Sequence, residues 1–165
     1  MKYNSIREYF YKLHNLLYGL LLTPLLAFVV LYWQMQTGNI EGALKGDETT
    51  QWILLGALGS VVVADWGISY FLFHRGMLAT RTLDSLGKKL DRYFSFTFLR
   101  FALVASSSLG LAVGFFLTEN QVFTILMVAS FTILLLVWPT PSKVCNDLQL
   151  KGDEQTLVLY KKDRL

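Results

Sequence analysis

Residues 52–73 read WILLGALGSVVVADWGISYFLF, an apolar run with a single charged residue, Asp65. A helix of about 20 apolar residues is what the roughly 30 Å hydrocarbon core of a bilayer requires. Working outward, three more blocks have the same character: residues 16–35, 98–118 and 122–138. The last sits at the short end of the spanning range. Of the 165 residues, 53% are hydrophobic and 16% charged. Ordinary soluble domains carry about 25% charged residues. The apolar residues also fall in long blocks rather than short amphipathic runs. This pattern excludes most soluble folds, intrinsic disorder and nucleic-acid-binding arms. It predicts an all-α integral membrane protein: a four-span antiparallel helical bundle over 1–138, short amphipathic cytoplasmic helices, and a cytoplasmic tail over 139–165.

The positions of the basic residues predict the orientation. Fourteen of the fifteen Lys and Arg lie in the N-terminal segment, the middle loop with Arg100, and the tail. The other side holds Lys45 alone. The positive-inside rule then places both termini and the middle loop in the cytoplasm, as expected of a plasma membrane protein (the inner membrane in a bacterium). The single Cys145 gives no disulfide framework. The first block is too long for a signal-peptide core and has no small-residue cleavage site after it, so it reads as a retained span.

Local signals refine this outline. Ser5 and Glu8 make an S-x-x-E capping box, and Glu8 and Lys12 are spaced i,i+4 in the favoured order. Ile6, Phe10, Leu13 and Leu17 share one helical face, expected in or near the interface. Pro24 removes the bond to the Leu20 carbonyl and predicts a kink. Trp33 and Trp52 flank the first loop as an interfacial aromatic pair. Leu83, Leu86, Leu90 and Phe94 lie at helical spacing, which predicts an amphipathic surface helix within 74–97. The connection Glu119–Gln121 forces a hairpin. Pro139 and Pro141 end the fourth span, Ser142 is placed to cap a short helix through about Leu150, and Gly152 to end it.

Asp65 is the residue that needs a physical explanation. It lies about 12 Å along the helix from the cytoplasmic edge of its span. A charge near the bilayer centre costs roughly 2.5–3.5 kcal/mol on insertion scales. The carboxyl is protonated or hydrogen-bonded between helices, or it serves a proton or cation, or it contacts a substrate or has another role. Arg100 is the obvious ionic partner, but side chains lean toward their helix N-termini and would carry the two groups apart. Snorkelling toward water or anionic headgroups suits Arg100 better. Thr23, Ser106, Ser107, Ser108 and Ser130 fall within about one helical turn of the depth of Asp65 and form a candidate polar layer with it.

Two small-residue stripes mark packing surfaces. One runs through Ala102, Ser106, Gly110 and Gly114 and contains a GxxxG. The other runs through Gly56, Ser60, Val63 and Gly67, with Asp65 and Ser69 on the opposite side of the helix. Small residues let helix backbones approach where lipid gives no hydrophobic drive. His14 and His74 fall at similar depth without further ligands, and read as interfacial rather than haem- or metal-binding. No HExxH, GxSxG, P-loop or dinucleotide-binding pattern is present. No cofactor or nucleic acid is expected; the expected partners are the lipid bilayer and either another protein or further copies of the chain. The expected role is that of an accessory or assembly subunit acting through helix–helix contacts. The alternative is an oligomeric proton- or cation-coupled transporter or channel using Asp65.

Overall fold

The N-terminus of nearly every helix is written into the sequence as a residue that can cap it. In the computed structural model, which describes residues 5–38, 41–44 and 47–160, Ser5 Oγ accepts from Glu8 N at 3.1 Å and starts α1 (Ile6–Gln36). Asp47 starts α2 (Glu48–Arg81), its carboxylate accepting from Thr50 N at 3.2 Å and from the Thr50 hydroxyl. Those bonds, the hydroxyl's first, hold the Asp47 carboxyl below its ordinary pKa. Ser85 precedes α3 (Leu86–Thr118), and Asn120 Oδ1 accepts from Val122 N at 3.0 Å to begin α4 (Gln121–Leu136). Thr140, rather than Ser142, caps α5 (Pro141–Leu148), where Pro141 fills the first turn and needs no acceptor for an N–H. Gln149 ends α5 in the left-handed conformation, φ 52°. Gly152 opens α6 (Gly152–Leu159) instead of closing the preceding helix.

The described residues are therefore all-helical, without a strand. Helices α1, α2 and α3 are each long and apolar enough to cross a membrane; α4, at 16 residues, qualifies only when taken together with α5. At 31, 34 and 33 residues the three long helices extend about 46–51 Å. That is well beyond the roughly 30 Å of a hydrocarbon core. The extra length absorbs what sequence periodicity reads as a surface helix. Residues 74–97 hold no separate element: α2 runs through Arg81 and α3 begins at Leu86. The physical reason is burial. Leu86 and Leu90 are in the protein core, and the Phe94 ring packs edge-on against Tyr9, so the apolar stripe faces protein. Helix α1 also runs unbroken through Pro24, which is buried.

The chain divides into two compact units. Unit 1 comprises residues 1–18, 69–100 and 138–165, and unit 2 comprises 19–68 and 101–137. By sequence, unit 1 carries fourteen basic and seven acidic residues, and unit 2 one basic and five acidic. The only basic residue assigned to unit 2, Lys45, lies outside the described residues, as do Lys2, Lys161, Lys162 and Arg164. In unit 1 the face formed by Ile6, Phe10, Leu13 and Leu17 is fully buried, together with Met77, Tyr93, Val144 and Leu148.

The core of unit 2 draws on four helices. Phe28 of α1, Val62 of α2, Leu111, Ala112 and Phe115 of α3, and Phe123 and Met127 of α4 form one cluster. The Phe28 and Phe115 rings lie 5.1 Å apart, and Tyr32 stacks on Phe115 at 5.6 Å. The first loop is tied to the α3–α4 turn: Gly42 N donates to Glu119 Oε1 at 2.7 Å, and Leu44 N to the Leu117 carbonyl at 2.9 Å. A side chain at Gly42 would place its Cβ 2.8 Å from that carbonyl oxygen, so the approach requires glycine.

Candidate functional site

Asp65 sits at the edge of the inward face of α2, next in sequence to Trp66, which packs against the unit 2 core. It is half-buried, and its side chain makes no hydrogen bond or ion pair among the described residues. The hydroxyls of the candidate layer turn to their own helices. Thr23 donates to the Gly19 carbonyl at 2.8 Å, Ser106 to Leu103 at 2.8 Å, and Ser107 to Leu103 and Val104 at 3.3 and 3.1 Å. Ser108 donates to Val104 at 2.7 Å and Ser130 to Leu126 at 2.8 Å. Ser108 and Ser130 are fully buried and Ser107 nearly so, whereas Thr23 and Ser106 are exposed. Back-bonding to the preceding turn is the low-energy option for a hydroxyl with no other partner in an apolar interior. These six residues therefore share unit 2 without sharing a hydrogen-bond network.

The two packing stripes differ sharply. On α3, a Cβ added at Gly114 would lie 2.6 Å from the Phe123 ring and 2.8 Å from Leu58 Cδ1, while one at Gly110 would meet Leu58 at 3.7 Å. Ala102 is half-buried and Ser106 exposed, so the stripe is filled from within the chain mainly at its glycine end. On α2, nothing lies within 4 Å of where a Cβ would stand at Gly56 or Gly67, nor at neighbouring Gly59. Ser60 is exposed and its hydroxyl donates to the Ala57 carbonyl at 2.7 Å. Only 11% of the apolar window of α2 is buried, against 56% for α3. Helix α3 is thus the interior helix, and α2 presents an open small-residue face.

The histidines do not converge. His14 Nε2 lies 3.0 Å from the Pro139 carbonyl, which requires the proton on Nε2, and its ring packs against Trp138. His74 stacks on Tyr70 at 6.1 Å. No group of three His, Cys, Asp or Glu positioned to hold a metal occurs among the described residues. Cys145 is buried; desolvation raises its thiol pKa.

Sequence reasoning missed one polar cluster, in unit 1. Tyr93, 1% exposed, donates its hydroxyl to Asp147 Oδ2 at 3.1 Å. Arg81 Nε donates to the Asp147 backbone carbonyl at 2.9 Å. The Arg100 guanidinium lies 5.0 Å from the centre of the Phe73 ring, and Phe73 in turn packs edge-on against Tyr93. Burial, reinforced by the Asp147 charge, pushes the Tyr93 phenol far above its ordinary pKa. Desolvation lowers the Lys143 ammonium, with Asp147 opposing and Arg100 adding to the effect. The only sequence signal for the cluster was the i,i+4 spacing of Lys143 and Asp147. Compared with known proteins, the chain matches no family model, no curated protein and no solved structure.

Proposed function

We propose that this chain is a polytopic membrane protein that acts as an accessory or assembly subunit, docking other transmembrane helices on the open face of α2. Unit 2 then forms a four-helix antiparallel bundle in the bilayer. Both termini and the middle loop lie on the cytoplasmic side, in keeping with the distribution of Lys and Arg. The carrying observation is the contrast between the stripes: Gly114 is filled by Phe123 and Leu58, while Gly56 and Gly67 are open. In lipid, a helix gains association energy from close backbone approach, and glycine at intervals permits it.

The test is co-purification in a gentle non-ionic detergent. Gly56→Leu with Gly67→Leu should abolish recovery of the associated chain, whether a second copy or another protein. Gly19→Leu is the control, because Gly19 is equally open but lies on α1. If the double variant retains every associated chain, the docking face lies elsewhere. A second reading rests on the half-buried Asp65 carboxylate, which makes no hydrogen bond or ion pair among the described residues. It would serve proton or cation movement in an oligomer. Asp65→Asn that abolishes a pH-dependent flux in liposomes while assembly persists favours this reading over the first.

A further inference from the structure

A groove of about 550 Å³ runs along the outside of the first turns of α1, a volume within the range of small-molecule sites. Arg7, Tyr11, Asn15 and Tyr18 line it at i, i+4, i+8 and i+11, so they share one face of the helix over about 16 Å. All four are exposed, and none makes a hydrogen bond or ion pair among the described residues. The other polar groups of the groove are engaged. Ser5 caps α1, Glu8 pairs with Lys12 at 2.6 Å, and the Nε2 proton of His14 goes to the Pro139 carbonyl. Among the described lining residues, the one uncompensated charge is therefore the Arg7 guanidinium.

The two ends of the groove differ. Around Arg7 and Tyr11 it offers N–H and O–H donors. At the other end it offers ring surface. Trp138 packs against His14 and Tyr18, with ring centres 5.7 and 4.9 Å apart, and Phe10 lies 5.9 Å from His14. These contacts hold the His14 and Tyr18 rings before any ligand arrives, which spares the cost of ordering them on binding. Tyr18 also lies within the apolar block at 16–35, so on the membrane reading the ring end is nearer the bilayer and Arg7 nearer cytoplasmic water. A ligand matched to this gradient carries an anion at one end and an apolar chain at the other. Guanidinium takes a carboxylate through two parallel N–H bonds. We propose that the groove binds a long-chain fatty acid, its carboxylate on Arg7 and Tyr11 and its chain over His14 and Tyr18. A groove one helix face wide receives one chain, which separates this class from two-chain phospholipids. The inference is independent of the docking face of α2.

The experiment photolabels the full chain, in phosphatidylcholine nanodiscs, with a palmitic acid carrying a diazirine in mid-chain, and maps the adducts by peptide mass spectrometry. Adducts should concentrate within residues 10–18 and saturate with label. Palmitic acid should compete for them, while 1-hexadecanol and phosphatidylglycerol should not. Losing the charged hydrogen bonds should weaken the apparent affinity of Arg7→Gln about tenfold. Arg92→Gln removes the same charge from an exposed position of the same unit outside the groove, and should weaken it less than about twofold. Asn15→Trp should abolish the adducts by filling the groove, at a position exposed enough to spare the fold. Equal losses in Arg7→Gln and Arg92→Gln overturn the site in favour of a diffuse field. Equal competition by 1-hexadecanol overturns recognition of the carboxylate, and equal competition by phosphatidylglycerol overturns the one-chain class. Adducts spread evenly over the helices, or unchanged in Asn15→Trp, overturn the groove itself.

Discussion

Replacing Gly114 and Gly67 by alanine, one at a time, separates the inward stripe from the outward one. Alanine is favoured over glycine within a helix by up to about 1 kcal/mol at either position, so this term cancels in the comparison. What remains is packing. At Gly114 the new methyl would sit 2.6 and 2.9 Å from two atoms of the Phe123 ring and 2.8 Å from Leu58 Cδ1. Carbon atoms in contact prefer about 3.5–4.0 Å, so the ring edge must retreat by about 1 Å. Phe123 is fully buried and has no open side to retreat into. Overpacking of this kind costs about 1–3 kcal/mol. At Gly67 no atom stands within 4 Å, and the packing cost is absent. Gly114→Ala should therefore be less stable than Gly67→Ala by about 1–3 kcal/mol. The assay is reversible unfolding in mixed micelles with rising dodecyl sulfate fraction, followed by far-ultraviolet circular dichroism. Leu58→Ala in the Gly114→Ala background should restore part of the loss, because it removes one of the two clashing side chains. Equal stability of the two single variants would refute the assignment of the stripes.

Other outcomes follow from the same geometry. Gly42→Ala should open the first loop by forcing apart the Leu117 carbonyl and the Gly42–Glu119 bond, seen as faster proteolysis within residues 37–47. Gly76→Ala should destabilise unit 1 by about 1–3 kcal/mol, since its Cβ would meet the Phe96 ring at 2.5–2.6 Å; a melting temperature unchanged from that of the parent chain contradicts this. Tyr93 is held neutral in the fold above its ordinary pKa, so its contribution is complete below about pH 10 and declines as the unfolded chain ionises above it. Tyr93→Phe should accordingly flatten the loss of stability between about pH 10 and 11, measured as unfolding midpoints across that range. Cys145 should resist maleimide at pH 8 until the chain unfolds, because its thiol is buried and its pKa raised.

What was legible in the sequence was mainly what is local. Ser5 and the two prolines after Trp138 mark helix ends through neighbours only a few residues away, and the long apolar blocks announce themselves by length. The stripes were also visible, but not which one faces inward. That depends on whether a bulky side chain from another helix arrives, as Leu58 and Phe123 do at Gly114. The periodic stripe Leu83–Phe94 carried no sign of whether protein or lipid would cover it. The Tyr93–Asp147 and Arg81–Asp147 bonds join residues 54 and 66 positions apart, beyond the reach of any spacing argument. For Asp65, the hydropathy of its block exposed the anomaly, while the absence of a partner among the described residues could be seen only with the neighbouring helices in place.

The back-bonded hydroxyls bear on stoichiometry. Thr23, Ser106, Ser107, Ser108 and Ser130 each donate within their own helix, so these five form no relay with one another or with Asp65 among the described residues. A proton leaving Asp65 would therefore find no hydroxyl of this set accepting from it within a single copy. On the transporter reading proposed above, a path would be assembled by several copies, each contributing one carboxylate. Counting chains per particle, by mass measurement in detergent, thus becomes a functional experiment: a single chain per particle would count against the transporter reading.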